Sequence, residues 1–336
     1  MLMLIPHLFP PPPMLETASS AMRAPALEHL LARGRLKTCP AEGVEAALCH
    51  ALGIPRQQDW PIAPIALEAD GGQADDAYWL RADPVHLRVM RDRIVMADSD
   101  ALNLTQPESD ALTDAIGAHF GAALRPRALQ PAHWYLQLAD APRLQTTPLA
   151  IAAGRDIQPL MPRGEDAQKF RSMLNELQML FHTHPVNQVR EQRGELAVNA
   201  LWLWGGGTKP AAVGESSVTL FTENRTARSL AAWSGTPVKP SAQALPTTAT
   251  SRTSIVVLDQ LTPSGQCGDM FGWWETLSVL EHNWFVPLRE SLGRLGLDAL
   301  TLSDPVNGIT LRVDRADLWK FWRRPKRLHE VLSVTR

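Results

Sequence analysis

The stretch HPVNQVREQRGELAVNALWLWGGG, from His184 to Gly207, decides how the rest of the chain is read. Val198 to Trp204 is apolar on both faces except for Asn199, the pattern of a strand covered on both sides. Gly205, Gly206 and Gly207 then read as its stop. Just upstream, residues 165–183 carry Ala167, Phe170, Leu174, Leu177 and Phe181 at helical spacing, which predicts an amphipathic helix. Pro185 ends it, because the residue before a proline avoids the helical region.

Toward the N-terminus the alternation continues. His133 to Leu138 and Tyr78 to Arg81 read as strands, and residues 106–120 as a helix with Pro107 in its first turn. Asp70 to Asp76 (DGGQADD) is a loop preceded by PIAPIAL. Residues 41–52 and 19–33 have helical spacing, and Leu2 to Leu8 reads as a buried strand halted by a proline run. Toward the C-terminus, residues 234–251 are linker-like in Ser, Thr, Pro and Ala, and Ser254 to Leu258 is another buried strand. A long helix follows from Met270 to Leu295, with Trp273, Leu277, Leu280, Trp284 and Leu288 on one face and a kink expected at Pro287. Strands alternating with helices predict an α/β architecture.

The 336 residues suffice for one large domain or two ordinary ones. A hydrophobic share of 45%, a charged share of 20% and a net charge of −2 describe a globular chain, with no overall pull toward nucleic acid or an anionic membrane. The N-terminal MLMLIPHLFPPPP lacks the basic start of a signal peptide, and no apolar run approaches the roughly 18 residues of a membrane span. Cys39, Cys49 and Cys267 form no disulfide framework and no CxxC. A cytoplasmic protein is expected, without a membrane partner and with no cofactor.

Chemistry concentrates in the opening stretch. His184, Asn187, Arg190, Arg193 and Asn199 are donors within a short run, and Gly205, Gly206 and Gly207 expose backbone N–H groups. Such donors suit a phosphate or a carboxylate, so these eight residues form a candidate anion-binding site. The competing reading is that the same side chains only cap loops and satisfy buried backbone. His182 and His184 sit two apart at a helix end, where their rings diverge, so no metal site is expected from them. Gly205 to Lys209 lacks the spacing of a phosphate loop, and Asp70 to Asp76 lacks that of a calcium loop. The C-terminal LWKFWRRPKR, Leu318 to Arg327, interleaves aromatics with Lys320, Arg323, Arg324, Lys326 and Arg327. It reads first as the solvated end of a helix packed through Leu318, Phe321 and Trp322, with a surface for RNA or phospholipid the less favoured reading and nucleic acid not expected as a partner.

The run from His184 to Gly207 resembles the archaeal type of cofactor-independent phosphoglycerate mutases, and the resemblance covers residues 60–207 best. YWLRADPVHL (Tyr78 to Leu87), LNELQML (Leu174 to Leu180) and LWLWGGG (Leu201 to Gly207) also make the chain similar to RpfE-type regulatory proteins of proteobacteria. The resemblance implies an alkaline-phosphatase-like three-layer α/β core with an inserted α+β domain. Residues 1–77 and 205–336 would then form the core and residues 78–204 the insert.

It also implies two divalent metals held by Asp and His, with a serine that carries the phosphoryl group, and here the sequence departs. Where those enzymes run from their first strand into Asp-Gly, this chain runs into His7-Leu-Phe-Pro-Pro. Where they carry a Gly-His-Asp cluster, it reads VVLDQLTPSGQCGDM, which keeps Asp259 and Asp269 without a histidine. Two carboxylates cannot hold two metals. The expectation is therefore a non-catalytic regulatory protein without catalytic or metal-binding residues, one that senses a phosphorylated or carboxylated metabolite or acts through a regulatory protein partner. The alternatives are an active metal-dependent mutase or phosphatase, and nucleic-acid binding through the basic C-terminus.

Overall fold

The computed structural model describes residues 1–10, 23–91, 93–97, 102–121, 124–211, 217–243, 253–293, 297–325 and 327–328. Part of the linker-like stretch (244–251), part of the first predicted helix (19–22), Leu295 and Lys326 lie outside them. In chain order the first strands are β1 (Leu2–Leu4), β2 (Arg35–Thr38), β3 (Tyr78–Val85), β4 (Leu87–Val89), β5 (Ile94–Met96), β6 (Pro126–Gln130) and β7 (His133–Leu138). Then come β8 (Ala200–Gly207), β9 (Val218–Phe221), β10 (Val238–Lys239), β11 (Thr253–Val257), β12 (Ala299–Asp304) and β13 (Ile309–Asp314). Two compact units result: residues 1–52 with 213–336, and residues 53–212.

The first unit is built on a seven-stranded sheet of order β10-β9-β11-β1-β12-β13-β2. β10 through β12 run parallel, and β13 and β2 add an antiparallel edge. Met3 and Val256 face a core shared with Leu27, Leu30, Trp273, Leu277, Trp284 and Leu288. Leu4, Ile255 and Val257 point the other way and are buried too. Both faces of the sheet's middle are thus covered, the three-layer arrangement of a parallel α/β sheet.

The strand predicted for Leu2 to Leu8 ends at Leu4, because Pro6 lacks an N–H to continue the ladder. The long predicted helix is Met270–Leu280, a π turn at Glu281–Phe285, and Val286–Gly293. The irregularity falls just before Pro287, whose ring cannot follow a regular turn. Within it, the buried Glu281 carboxylate accepts from the N–H groups of Ala26 (2.5 Å) and Leu27 (3.1 Å), at the start of the helix Pro25–Arg33. That helix has no side-chain cap of its own, so Glu281 supplies the missing acceptor.

The second unit holds a four-stranded sheet of order β6-β7-β3-β8, antiparallel throughout. One face packs Leu80, Ala82, Trp134, Leu136 and Leu203 against the helices Gln106–Phe120 and Ala167–His182. The other packs Trp79 and Tyr135 against Ala63, Ala66 and Leu67 of the helix Ile62–Ala69. This helix is the PIAPIAL stretch that the sequence reading leaves as a lead-in to a loop. Its packing draws the unit's start from the expected residue 78 back to residue 53, and the unit continues past 204 to 212.

The glycine run does not stop β8 but lies inside it. A register shift opposite Trp79 and Arg81 marks a bulge, and Gly205 there has φ 65°, a left-handed conformation that glycine adopts without strain. At Gly206 a Cβ would sit 2.3 Å from the Tyr78 hydroxyl oxygen, so a side chain is excluded by contact. The glycines thus serve close packing across the strand rather than a free loop.

Candidate functional site

In a parallel α/β sheet, ligands gather at the carboxyl ends of the strands, so the residues following β1, β9, β11 and β12 come first. After β1, His7 adopts φ 61°, a left-handed backbone uncommon for any residue but glycine. Its N–H donates to Asp304 Oδ1 (3.1 Å), and the Phe9 N–H donates to Asp304 Oδ2 (2.9 Å). The N–H groups of Val306 and Asn307 (both 3.1 Å) and the Asn307 side-chain amide (2.9 Å) also donate to this carboxylate. Asp304 is fully buried. Burial pushes its carboxyl above the ordinary value, against the pull of these same bonds. It ties the β1 loop to the β12–β13 turn, and five donors occupy its lone pairs. The Trp273 indole N–H donates to the His7 carbonyl (2.8 Å), which fixes the loop from the other side.

The two carboxylates that the resemblance carries over have separate tasks. Asp269 caps the helix Met270–Leu280, accepting from Phe271 N–H (3.1 Å) and Gly272 N–H (3.0 Å). Half-buried Asp259 follows β11 and accepts from the Asn224 amide (3.0 Å), itself the cap of the helix Arg225–Trp233. Among the described residues no three His, Cys, Asp or Glu side chains converge as a metal would require. The donors at this edge do not fit a two-metal centre, whose ions need several carboxylates and imidazoles at once.

The candidate anion site is not brought together. Asn187 is buried, and its amide donates to the carbonyls of Phe181 (2.8 Å) and Val198 (2.7 Å) while accepting from Val198 N–H (2.9 Å). Buried Arg190 donates to Leu196 O (2.9 Å), to Leu102 O and to Glu108 Oε2 (3.0 Å). Asn199 pairs with the backbone of Leu87, accepting from its N–H (2.7 Å) and donating to its carbonyl (2.9 Å). His184 caps the helix Pro185–Gln192 through Nδ1, which accepts from Val186 N–H (3.2 Å), and burial lowers its pKa. A neutral, accepting imidazole does not attract an anion. Arg193 is exposed at the end of that helix. At a strand rise of about 3.3 Å per residue, β8 places Gly206 roughly 20 Å from Asn199. The expected convergence is therefore corrected: the donors lock the approach to β8, and the glycines lie at its far end.

A group that the sequence reading passes over is the buried pair Arg81–Asp83. The two residues lie on one face of β3, and Arg81 Nε and Nη2 donate to Asp83 Oδ1 (3.0 and 2.7 Å). In register, Arg81 is flanked by Tyr135 on β7 and Trp204 on β8. The guanidinium carbon lies 4.9 Å and 5.5 Å from their ring centroids, and the Trp204 indole N–H donates to Asp83 Oδ2 (2.7 Å). The Tyr135 hydroxyl donates to Asp70 Oδ2 (2.6 Å), which also meets His133 Nδ1 (2.9 Å). Burial acts to lower the Arg81 pKa, but Asp83 and its neighbours hold it above the ordinary value. The signal was an Arg and an Asp two apart in an otherwise apolar strand, YWLRADPV. This network satisfies itself and stiffens the sheet.

No protein-family model matches the chain. The probable 2,3-bisphosphoglycerate-independent phosphoglycerate mutase of Geobacter sulfurreducens is 25% identical over 209 residues, covering 58% of this chain and 51% of that protein. The 2,3-bisphosphoglycerate-independent phosphoglycerate mutase of Methanosarcina mazei is 26% identical over 208 residues, with the same two shares of 58% and 51%. Among solved structures, the cofactor-independent phosphoglycerate mutase of Thermoplasma acidophilum aligns with 99% of this chain and 97% of its own, at 16% identity and a TM-score of 0.46. The chain spans about half the length of the curated relatives it matches. What it is similar to, over that part, is the cofactor-independent kind of phosphoglycerate mutase.

Proposed function

We propose that this protein is a non-catalytic regulator on a phosphoglycerate-mutase-like fold, of the kind RpfE-type proteins represent, working in the cytoplasm. One observation carries the reading. At the end of β1, where the resemblance places an Asp-Gly turn for metal, the chain runs into His7, Leu8 and Phe9 instead, and His7 has a left-handed backbone. The nearby Asp304 is held by five N–H donors, and Asp269 is a helix cap. The side chains that stand at these positions are replaced or already engaged within the fold. The free thiols of Cys39, Cys49 and Cys267 suit a reducing compartment.

The test is an assay of purified protein with 3-phosphoglycerate and added manganese, beside elemental analysis of the protein as isolated. No turnover and no stoichiometric metal are expected. Turnover that depends on manganese would instead establish the active metal-dependent mutase. Calorimetry with 3-phosphoglycerate addresses the sensing of a phosphorylated metabolite separately. Binding without turnover would identify a sensor, and no binding would leave a regulator that acts through protein contacts.

A further inference from the structure

The segment Leu318 to Leu328 is fastened at both ends and open in the middle. Leu328 is buried in the core of the first unit, and Leu318 packs against the same core. Between them Trp319, Phe321 and Trp322 are 76%, 76% and 67% exposed. The segment is a built turn: Phe321 N–H donates to Trp319 O (2.8 Å) and Arg323 N–H to Lys320 O (3.0 Å). Lys320 Nζ donates to Asp317 Oδ1 (2.5 Å), and Asp317 also pairs with Arg35 (3.2 Å). Asp317 completes a reciprocal cap with the Asp314 backbone. Three large aromatics held outside by such a turn form the kind of apolar patch that marks an interaction surface. Arg323 and Arg324 are exposed beside them, and no acid occurs from Leu318 to Arg327.

We propose that this turn is a peripheral docking surface for an anionic phospholipid bilayer. Tryptophan and phenylalanine enter the headgroup layer while arginines meet lipid phosphates, which explains the two residue classes together. Single-stranded nucleic acid would use the same classes differently, as spaced ring faces along a basic track. Here Phe321 and Trp322 stand edge to face, with centroids 5.3 Å apart at 80°, so together they make a wedge. No helix among the described residues is long and apolar enough to cross a membrane, so the contact is one of surface adsorption.

The experiment is flotation of the full chain with vesicles of equimolar phosphatidylglycerol and phosphatidylcholine, beside vesicles of phosphatidylcholine alone. Binding to the first set only, weakened by salt, is expected. The triple variant Trp319→Ser, Phe321→Ser, Trp322→Ser should lose about tenfold or more in affinity, and Arg323→Glu with Arg324→Glu a similar factor. Phe271→Ser, which removes an exposed aromatic elsewhere, should bind as the wild type does. Thermal melting of each variant checks that it folds, and the charge reversal stands if the aromatic triple does not. Equal binding to both vesicle sets, or to neither, overturns the proposal. So does tight binding of a single-stranded RNA oligomer that the same variants abolish, or a concentration-dependent dimer that buries the turn.

Discussion

Arg190 shows how a residue that looks chemical can be structural. Its guanidinium is 1% exposed and reaches Leu196 O, Leu102 O and Glu108. Arg190→Ala should cost about 3–5 kcal/mol in urea unfolding, because it leaves carbonyls and a carboxylate without their buried partner. The exposed Arg193→Ala should stay within about 0.5 kcal/mol. The pair also sets a pH dependence. Burial works to raise the Glu108 pKa, but its bonds to Thr105 and Arg190 outweigh that and hold it below 4.5. A lowered carboxylate pKa stabilises above the unfolded value and loses that contribution as pH falls through the folded one. His184, lowered from 6.5 by burial, acts in the same direction at higher pH, since protonation removes the acceptor that caps its helix. In unfolding measured from neutral pH downward, these two groups should therefore contribute a decline that begins below 6.5 and steepens below 4.5, opposed by Asp304, whose raised carboxyl favours the folded state as it protonates. In Glu108→Gln the gap from wild type should close at the acid end. The sequence shows that Asn187, Arg190 and Asn199 are donors, but not what they donate to. Their acceptors at Val198, Leu102 and Leu87 are set by tertiary packing.

Elements with strong periodicity are legible, and those defined by their neighbours are not. The helix predicted for 106–120 is the observed Gln106–Phe120, because Thr105 and Glu108 form a capping box and Pro107 stands in the first turn. The strand His133–Leu138 is likewise as predicted. The helix Ile62–Ala69 escapes because Pro61 and Pro64 resemble a loop, although a proline in the first turn lacks only an N–H that has no helical partner. β12 and β13, by contrast, carry the alternation of a half-buried strand, with Leu300, Leu302, Ile309, Leu311 and Val313 inward, and are legible although the sequence reading names neither. Two substitutions test the elements as built. Gly206→Ala should cost about 1–3 kcal/mol, since the new methyl meets the Tyr78 hydroxyl. Trp284→Ala should cost about 3–5 kcal/mol by denaturant titration, because the indole lies in the core of the first unit at the π turn.

At the scale of the molecule, residues 53–212 form one uninterrupted stretch of chain with its own sheet and core. Expressed alone, that stretch should give a single cooperative unfolding transition, monitored by circular dichroism, and a non-cooperative melt would refute its independence. The other unit is made from two separated stretches, and β1 shows what that entails. Its three residues sit between β11 and β12, whose partners come some 250 to 300 positions later. On a ribosome adding about 5–20 residues per second, β1 waits on the order of 15–60 s for β12 to be made. Residues 53–212 are complete well before then. The molecule is thus born from the inside out, with the inserted piece mature while the frame still lacks the strands beside its first one. Throughout that interval Leu2, Met3 and Leu4 have no sheet to enter, and the newborn chain presents them to whatever chaperone meets it first.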